Sequence, residues 1–144
     1  MNDLLKDLYQ EIILDHGQDP RNFGECDNHN KSAKGHNPLC GDKVQVTLIV
    51  DQNDTIKDIK FSGEGCAISI ASASLMTEKL KNKSLDEADK IFNDFTSLVK
   101  GHTEGLITLT EEDSLYALKG VEAFPMRVKC ATMAWHTYKS AVNG

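Results

Sequence analysis

The feature that constrains the fold most is an alternating run. Val44, Val46, Leu48 and Val50 alternate with Lys43, Gln45 and Thr47, which puts the aliphatic side chains on one face of a strand, because successive Cβ atoms point to opposite sides. Asp51-Gln52-Asn53-Asp54 then supplies turn residues, and Ile56, Ile59 and Phe61 lead a second β-prone run. The expectation is an antiparallel hairpin whose apolar face needs a cover.

The remaining sequence supplies helices to cover it. Leu4, Leu5, Leu8, Tyr9, Ile12 and Ile13 recur with helical period, so a helix is expected from about Asp3 to Asp15. Between Gly17 and Asp42 the chain is polar and broken by Gly17, Pro20 and Gly24, which reads as a long loop with room for a short edge strand. After Gly63 and Gly65 comes a small-residue helix, AISIASASLMTEKLKN, with basic residues at the end that suits them. Ser84 and Glu87 form a capping box before the apolar positions Leu85, Ala88, Ile91, Phe92, Phe95, Leu98 and Val99, and Gly101 stops that helix. Thr110 with Asp113 predicts a further short helix through Leu118, and a last helix runs from about Met126 to Asn143. One helix, a small antiparallel sheet and four helices make an α+β fold, a single domain over residues 1–144 with the helices on one face of the sheet.

Composition narrows the function. In 144 residues, 40% hydrophobic, 16 Lys and Arg face 22 Asp and Glu for a net charge of −6, which repels nucleic-acid backbones and anionic lipid. No apolar run nears the roughly 20 residues of a membrane span, and MNDLLKDLYQ lacks the pattern of a signal peptide. The expected location is cytoplasmic, where four cysteines point to thiols, metal ligands or reactive sulfur rather than disulfides.

Cys40, Cys66 and Cys130 each fall at a break between elements, and Cys66 and Cys130 are expected in the first turns of helices, where free N–H groups favour a thiolate. In Asn37-Pro38-Leu39-Cys40-Gly41-Asp42 a thiol and a carboxylate are separated by one glycine, so both can face one ion. Gly63-Glu64-Gly65-Cys66 flanks its cysteine with residues that allow close backbone approach. Three thiolates and a carboxylate suit a four-coordinate zinc. With no compact Cys-x-x-Cys knuckle, spacing alone leaves open a second reading, in which the cysteines are small buried hydrophobes.

Four motifs taken together resemble the U-type iron–sulfur cluster assembly proteins over nearly the whole chain: Asp15-His16 with Pro20-Arg21-Asn22, NPLCGD from Asn37 to Asp42, GEGCAIS from Gly63 to Ser69, and Arg127-Val128-Lys129-Cys130-Ala131. The sequence is most similar to the SufU branch. That resemblance implies Zn²⁺ held by Cys40, Asp42, Cys66 and Cys130, with Cys40 accepting persulfide sulfur from a cysteine desulfurase and passing it to a cluster assembly complex or a thiol reductant. The alternative it carries is the IscU branch, which assembles a [2Fe–2S] cluster on the corresponding cysteines. Lys129 stands where that branch has a histidine, and Phe124-Pro125-Met126-Arg127-Val128-Lys129 lacks its Leu-Pro-Pro-Val-Lys segment. The longer stretch from Lys81 through Gly120 also resembles SufU.

The implied chemistry is sulfur exchange. A four-ligand anionic zinc centre keeps its thiolates deprotonated, whereas hydrolytic zinc keeps an open position for water. Arg127 and Lys129 are second-tier residues for sulfur transfer or partner contact. Cys26 is expected as an incidental exposed thiol, His16 as a helix cap or partner contact, and His29, His102 and His136 as solvent-facing. His36, four residues before Cys40, is an alternative ligand, and the helical stripe with Tyr9 serves either as core or as a desulfurase dock.

Overall fold

In the computed structural model, which describes residues 3–38 and 41–144 (side chains of the first helix from residue 7 onward), the elements run α1 (Asp3–Gln18), β1 (Lys31–Asn37), β2 (Asp42–Val50), β3 (Ile56–Glu64), α2 (Ala67–Leu80), α3 (Leu85–Val99), a 3₁₀ helix (Ser114–Ala123) and α4 (Pro125–Asn143). The strands form one antiparallel sheet in the order β1-β2-β3. The expected hairpin is β2–β3, with Val46 opposite Phe61 and Leu48 opposite Ile59. All four side chains are buried, with Val44, beneath α2 and α4.

The predicted edge strand is β1, a full partner of β2 from Lys31 opposite Leu48 to Asn37 opposite Asp42. It carries almost no apolar residues because α4 comes very close to it: a Cβ on Gly35 would stand 2.2 Å from Thr137 Oγ1. Gly35 thus trades side-chain burial for helix–strand approach.

The loop between α1 and β1 pairs with the outer edge of β3, where Phe23 bridges to Phe61, and then covers the sheet's other face at Thr47: the Cys26 amide donates to Thr47 Oγ1 at 2.9 Å and its thiol donates to the Thr47 carbonyl at 3.4 Å. Cys26 is therefore 2% exposed, which corrects the expectation of an exposed thiol. Burial pushes its pKa up.

Helix α2 is the centre of the molecule, with every residue from Ala71 to Thr77 buried. A helix surrounded on most sides needs small side chains and partners for its hydroxyls. Ser72 Oγ accepts from Trp135 Nε1 at 3.1 Å and donates to the Ala131 carbonyl. Ser74 Oγ meets His16 Nδ1 at 2.7 Å and the Arg21 amide at 2.8 Å, and Thr77 Oγ1 accepts from Asn22 at 3.1 Å. His16 is neither a simple cap nor an exposed contact; it is buried and pins the α1 end to α2. Arg21 closes the same corner by pairing with Asp15 at 2.6 Å.

The capping box at the start of α3 forms as expected, Ser84 Oγ accepting from the Glu87 amide and Glu87 from the Ser84 amide, both at 3.1 Å. Thr110 and Asp113 make no such box. Asp113 is itself the cap, accepting from the Leu115 amide at 3.0 Å, and the 3₁₀ helix continues through Gly120 to Ala123. Tyr9 is core, its hydroxyl donating to the Glu111 carbonyl at 2.9 Å. Leu8, expected on the buried stripe, is 49% exposed. Among the described residues no helix is long and apolar enough to cross a membrane.

Candidate metal centre

Three segments remote in sequence meet at one end of the sheet. Asp42 is the first residue of β2 and shares the inward face with Val44, so its carboxylate is fully buried. Gly65 makes that possible: a Cβ there would lie 2.5 Å from Asp42 Oδ1 and 2.9 Å from Cγ. Gly63 lets the strand turn away, with φ +143 and no space for a Cβ against the Lys43 carbonyl. The Cys66 amide then donates to Asp42 Oδ1 at 3.0 Å, fixing the carboxylate through one of its two oxygens.

Cys66 is the N-cap of α2, in extended backbone at φ −71 and ψ 167, and its Sγ accepts the Ser69 amide at 3.5 Å. Sulfur here takes the place that an oxygen of Ser or Asp usually fills. Cys130 comes from α4, where it is the sixth residue, in the second helical turn rather than the first. The terminal N–H groups and the dipole are strongest in the first turn, so position on the helix contributes less there than the sequence implied. Cys66 is exposed and Cys130 is buried.

One ligand atom each from Asp42, Cys66 and Cys130 lies within 4.8 Å of the others. Sulfur ligands of a tetrahedral zinc, about 2.3 Å from the metal, stand about 3.8 Å apart. The trio is therefore compact enough to close on one ion with small side-chain adjustment. Cys40 lies outside the described residues; the sequence puts it two positions before Asp42 and three after Asn37, the residue opposite Asp42 across β1–β2.

His36 does not join this group. It pairs with Lys43 one register position away from Asn37–Asp42, so its side chain points to the opposite face of the sheet. Arg127, exposed in the first turn of α4, has its guanidinium 4.8 Å from the centroid of the Phe124 ring. Exposed Lys129 lines a cleft between β1 and α4 with His36 and His136. Of the other histidines, His102 is exposed, His29 is half-buried with Nδ1 3.1 Å from the Cys26 carbonyl, and His136 meets the Phe92 ring edge-on at 5.5 Å. The Ser74 anchor of His16 escaped the sequence reading; its one signal was the ASAS run, whose hydroxyls needed buried partners.

The family model described as the NifU-like N terminal domain matches residues 8–131. The chain is 39% identical over 139 residues to the zinc-dependent sulfurtransferase SufU of Bacillus subtilis (strain 168), covering 96% of this chain and 91% of that protein. It is 38% identical over 139 residues to the iron–sulfur cluster assembly scaffold protein IscU of Streptococcus pyogenes serotype M1, covering 96% and 85%. A crystal structure described as an iron–sulfur cluster assembly scaffold protein for the SUF system, from Fervidobacterium islandicum AW-1, shares the fold with a TM-score of 0.82 at 32% identity, covering 92% of this chain and 94% of that one. Sulfurtransferase and scaffold names thus occur at almost equal identity, and overall similarity does not choose between them. By sequence, by architecture and by the motifs that build its Asp–Cys–Cys cluster, the chain belongs to the NifU-like N-terminal domain family, which includes SufU and IscU.

Proposed function

We propose that this protein is a zinc-dependent sulfurtransferase of iron–sulfur cluster assembly, a carrier on which Cys40 accepts sulfane sulfur from a cysteine desulfurase. The observation that carries the reading is the convergence of Asp42, Cys66 and Cys130 within 4.8 Å, a donor set that with Cys40 would supply three sulfurs and one oxygen. Such a set fits zinc by number and by donor type. When bound, zinc would hold the thiols as thiolates at neutral pH without redox chemistry of its own.

The residues of the chain divide the remaining work. Asp42, tied through Oδ1 to the Cys66 amide, keeps its second oxygen in a fixed direction, which is how an outer hydrogen bond orients a ligand. Cys130 is buried and closes the inner side of the centre, while Cys66 is exposed and leaves the outer side open to a partner. In the transfer, the Cys40 thiolate attacks the outer sulfur of a desulfurase persulfide. A bond forms between Cys40 Sγ and that sulfur, the desulfurase S–S bond breaks, and its cysteine leaves as thiolate with no net oxidation. Exposed Arg127 and Lys129 flank the last ligand, where they would meet the acidic side of a docking partner or hydrogen-bond the persulfide.

The test combines metal analysis with turnover of a cognate cysteine desulfurase in the presence of a thiol reductant. One zinc per chain, stimulation by wild type and none by Cys40→Ala are the expected results. A coloured iron-loaded protein that holds a [2Fe–2S] cluster and gives no stimulation would replace this reading with the scaffold role. Zinc without stimulation would leave only a structural metal.

A further inference from the structure

Next to the centre lies a charged cleft that shares Lys129 with the proposed transfer and extends beyond it along β1 and α4. It opens between β1 and α4, with a volume of about 420 Å³. Its ionisable lining is entirely basic: Lys34 and His36 from β1, Lys129 and His136 from α4. No carboxylate lines it among the described residues, although acidic residues outnumber Lys and Arg by 22 to 16 in the chain. A second cleft of about 410 Å³ shares Lys34 and His36, adds Lys43 on the outer face of the sheet, and has no acid in its lining either. Among the described residues neither Lys34 nor Lys129 enters an ion pair with a carboxylate of the chain.

The cleft is also placed where a reaction partner would be needed. Asn37, in its lining, faces Asp42 across β1–β2, and Lys129 immediately precedes Cys130. Unneutralised cations collected beside a reactive centre, on a protein of opposite net charge, concentrate anions there. The volume is within the range of small-molecule sites, and Met133 with the lysine stems gives the lining an apolar component for a carbon skeleton.

We infer that this cleft binds the sulfur acceptor, and that the acceptor is a low-molecular-weight thiol bearing carboxylates. The inference rests on the sulfurtransferase reading, because a persulfide on Cys40 has to be discharged to a thiol. The acceptor thiolate attacks the outer sulfur of the protonated Cys40 persulfide. An S–S bond forms on the acceptor, the Cys40 Sγ–S bond breaks, and Cys40 returns as thiolate, so atoms and electrons balance without an added oxidant. Lys129 and the long side chain of Lys34, reaching over from the β1 edge, hold the carboxylates; His136 offers a ring N–H donor, and His36 borders the cleft from the outer face of β1. The same cations favour the thiolate form of a thiol held near them.

Two measurements test this. Persulfidated protein is discharged by glutathione, which is anionic, and by 2-mercaptoethanol, which is uncharged, in wild type, in the double variant Lys34→Gln/Lys129→Gln, and in Lys31→Gln as a control outside the cleft. Wild type and Lys31→Gln are expected to favour glutathione, and the double variant to lose about fivefold of that preference, as two exposed charge contacts allow. Separately, S-methylglutathione, which cannot take sulfur, is titrated while the ring protons of His36 and His136 are followed by NMR. Shifts in wild type that vanish in the double variant are expected. An unchanged thiol preference in the double variant, or no histidine shift in wild type, overturns the inference. Failure of Cys40 to load a persulfide at all would instead sink the sulfurtransferase reading, and the histidine titration would still decide whether the cleft takes the anion.

Discussion

Replacing Gly65 by Ala adds one methyl group at the tightest point of the proposed centre. The new Cβ would stand 2.5 Å from Asp42 Oδ1, while ordinary contact begins near 3.4 Å, so the carboxylate must retreat by about 0.9 Å. Zinc–ligand distances tolerate only ~0.2 Å. The retreat also breaks the bond from the Cys66 amide to Oδ1, and a hydrogen bond to a charged acceptor is worth about 1.5–3 kcal/mol. Gly65 lies outside the left-handed region, so alanine brings no backbone strain, and it offsets part of the loss of apo-protein stability by about 0.4–1 kcal/mol through the unfolded chain. The expected outcome is zinc binding weakened about 10- to 100-fold, read by competition with a chromophoric chelator, with the far-ultraviolet spectrum unchanged. In an Asp42→Ala background the clashing carboxylate is gone, and the same substitution should change affinity less than about twofold, the signature of coupled neighbours. Equal loss in both backgrounds would show that Gly65 does not act through Asp42. No loss in either would refute the steric argument itself.

Three further substitutions or conditions are informative. His16 is held below its ordinary value near 6.5, first by burial and then by the Arg21 guanidinium, against the opposing pull of Glu78 and Asp15. The native state therefore binds fewer protons than the unfolded chain just below that value, so stability should fall as pH drops through about 6.5 and level off only below the folded-state value. His16→Gln should flatten part of that fall in urea midpoints compared at pH ~7.5 and ~5.5; His136, shifted the same way by burial and then Lys100, supplies the remainder. Cys26, whose thiol is pushed above its ordinary value of 9.0 chiefly by burial, should react far more slowly than Cys66 with a disulfide reagent in metal-free native protein. Cys26→Ala should cost about 1 kcal/mol and leave the zinc content unchanged.

Which features could be read from the sequence follows from how local their causes are. The β2–β3 hairpin depends on alternation within nine residues of β2, and the α3 cap on Ser84 and Glu87, three apart; both were legible. Strand β1 was visible only as a possible edge strand, because its inward position Gly35 was chosen by Thr137, 102 residues away, and not by apolar periodicity. His16 and Cys26 were misjudged for the same reason: the partners that bury them, Ser74 and Thr47, lie 58 and 21 residues distant. The residues of the candidate centre can be picked out by type in the sequence, but the convergence of Asp42, Cys66 and Cys130 cannot, since it depends on Gly65 admitting the Asp42 carboxylate and on the angle at which α4 brings in Cys130.

The same geometry predicts what removal of the proposed zinc does. A structural zinc in a small domain is the core, and stripping it unfolds the chain. Here the core has another source: Trp135 stacks on Phe95 with centroids 4.4 Å apart, and Val46, Leu48, Ile59, Phe61, Met76 and Leu118 are all fully buried around them. The three clustered residues proposed as ligands sit near element ends, on the first residue of β2, the cap of α2 and the second turn of α4. Chelation should therefore loosen those ends and spare the middle. In hydrogen exchange, amides around residues 63–69 and 126–131 should lose protection by about tenfold or more, while the centres of α2, β2 and the far half of α4 keep theirs. Cooperative loss of protection across the whole chain on chelation would mean that the buried apolar core does not suffice, and the metal would then have to be counted as part of the fold rather than as a tool of its chemistry.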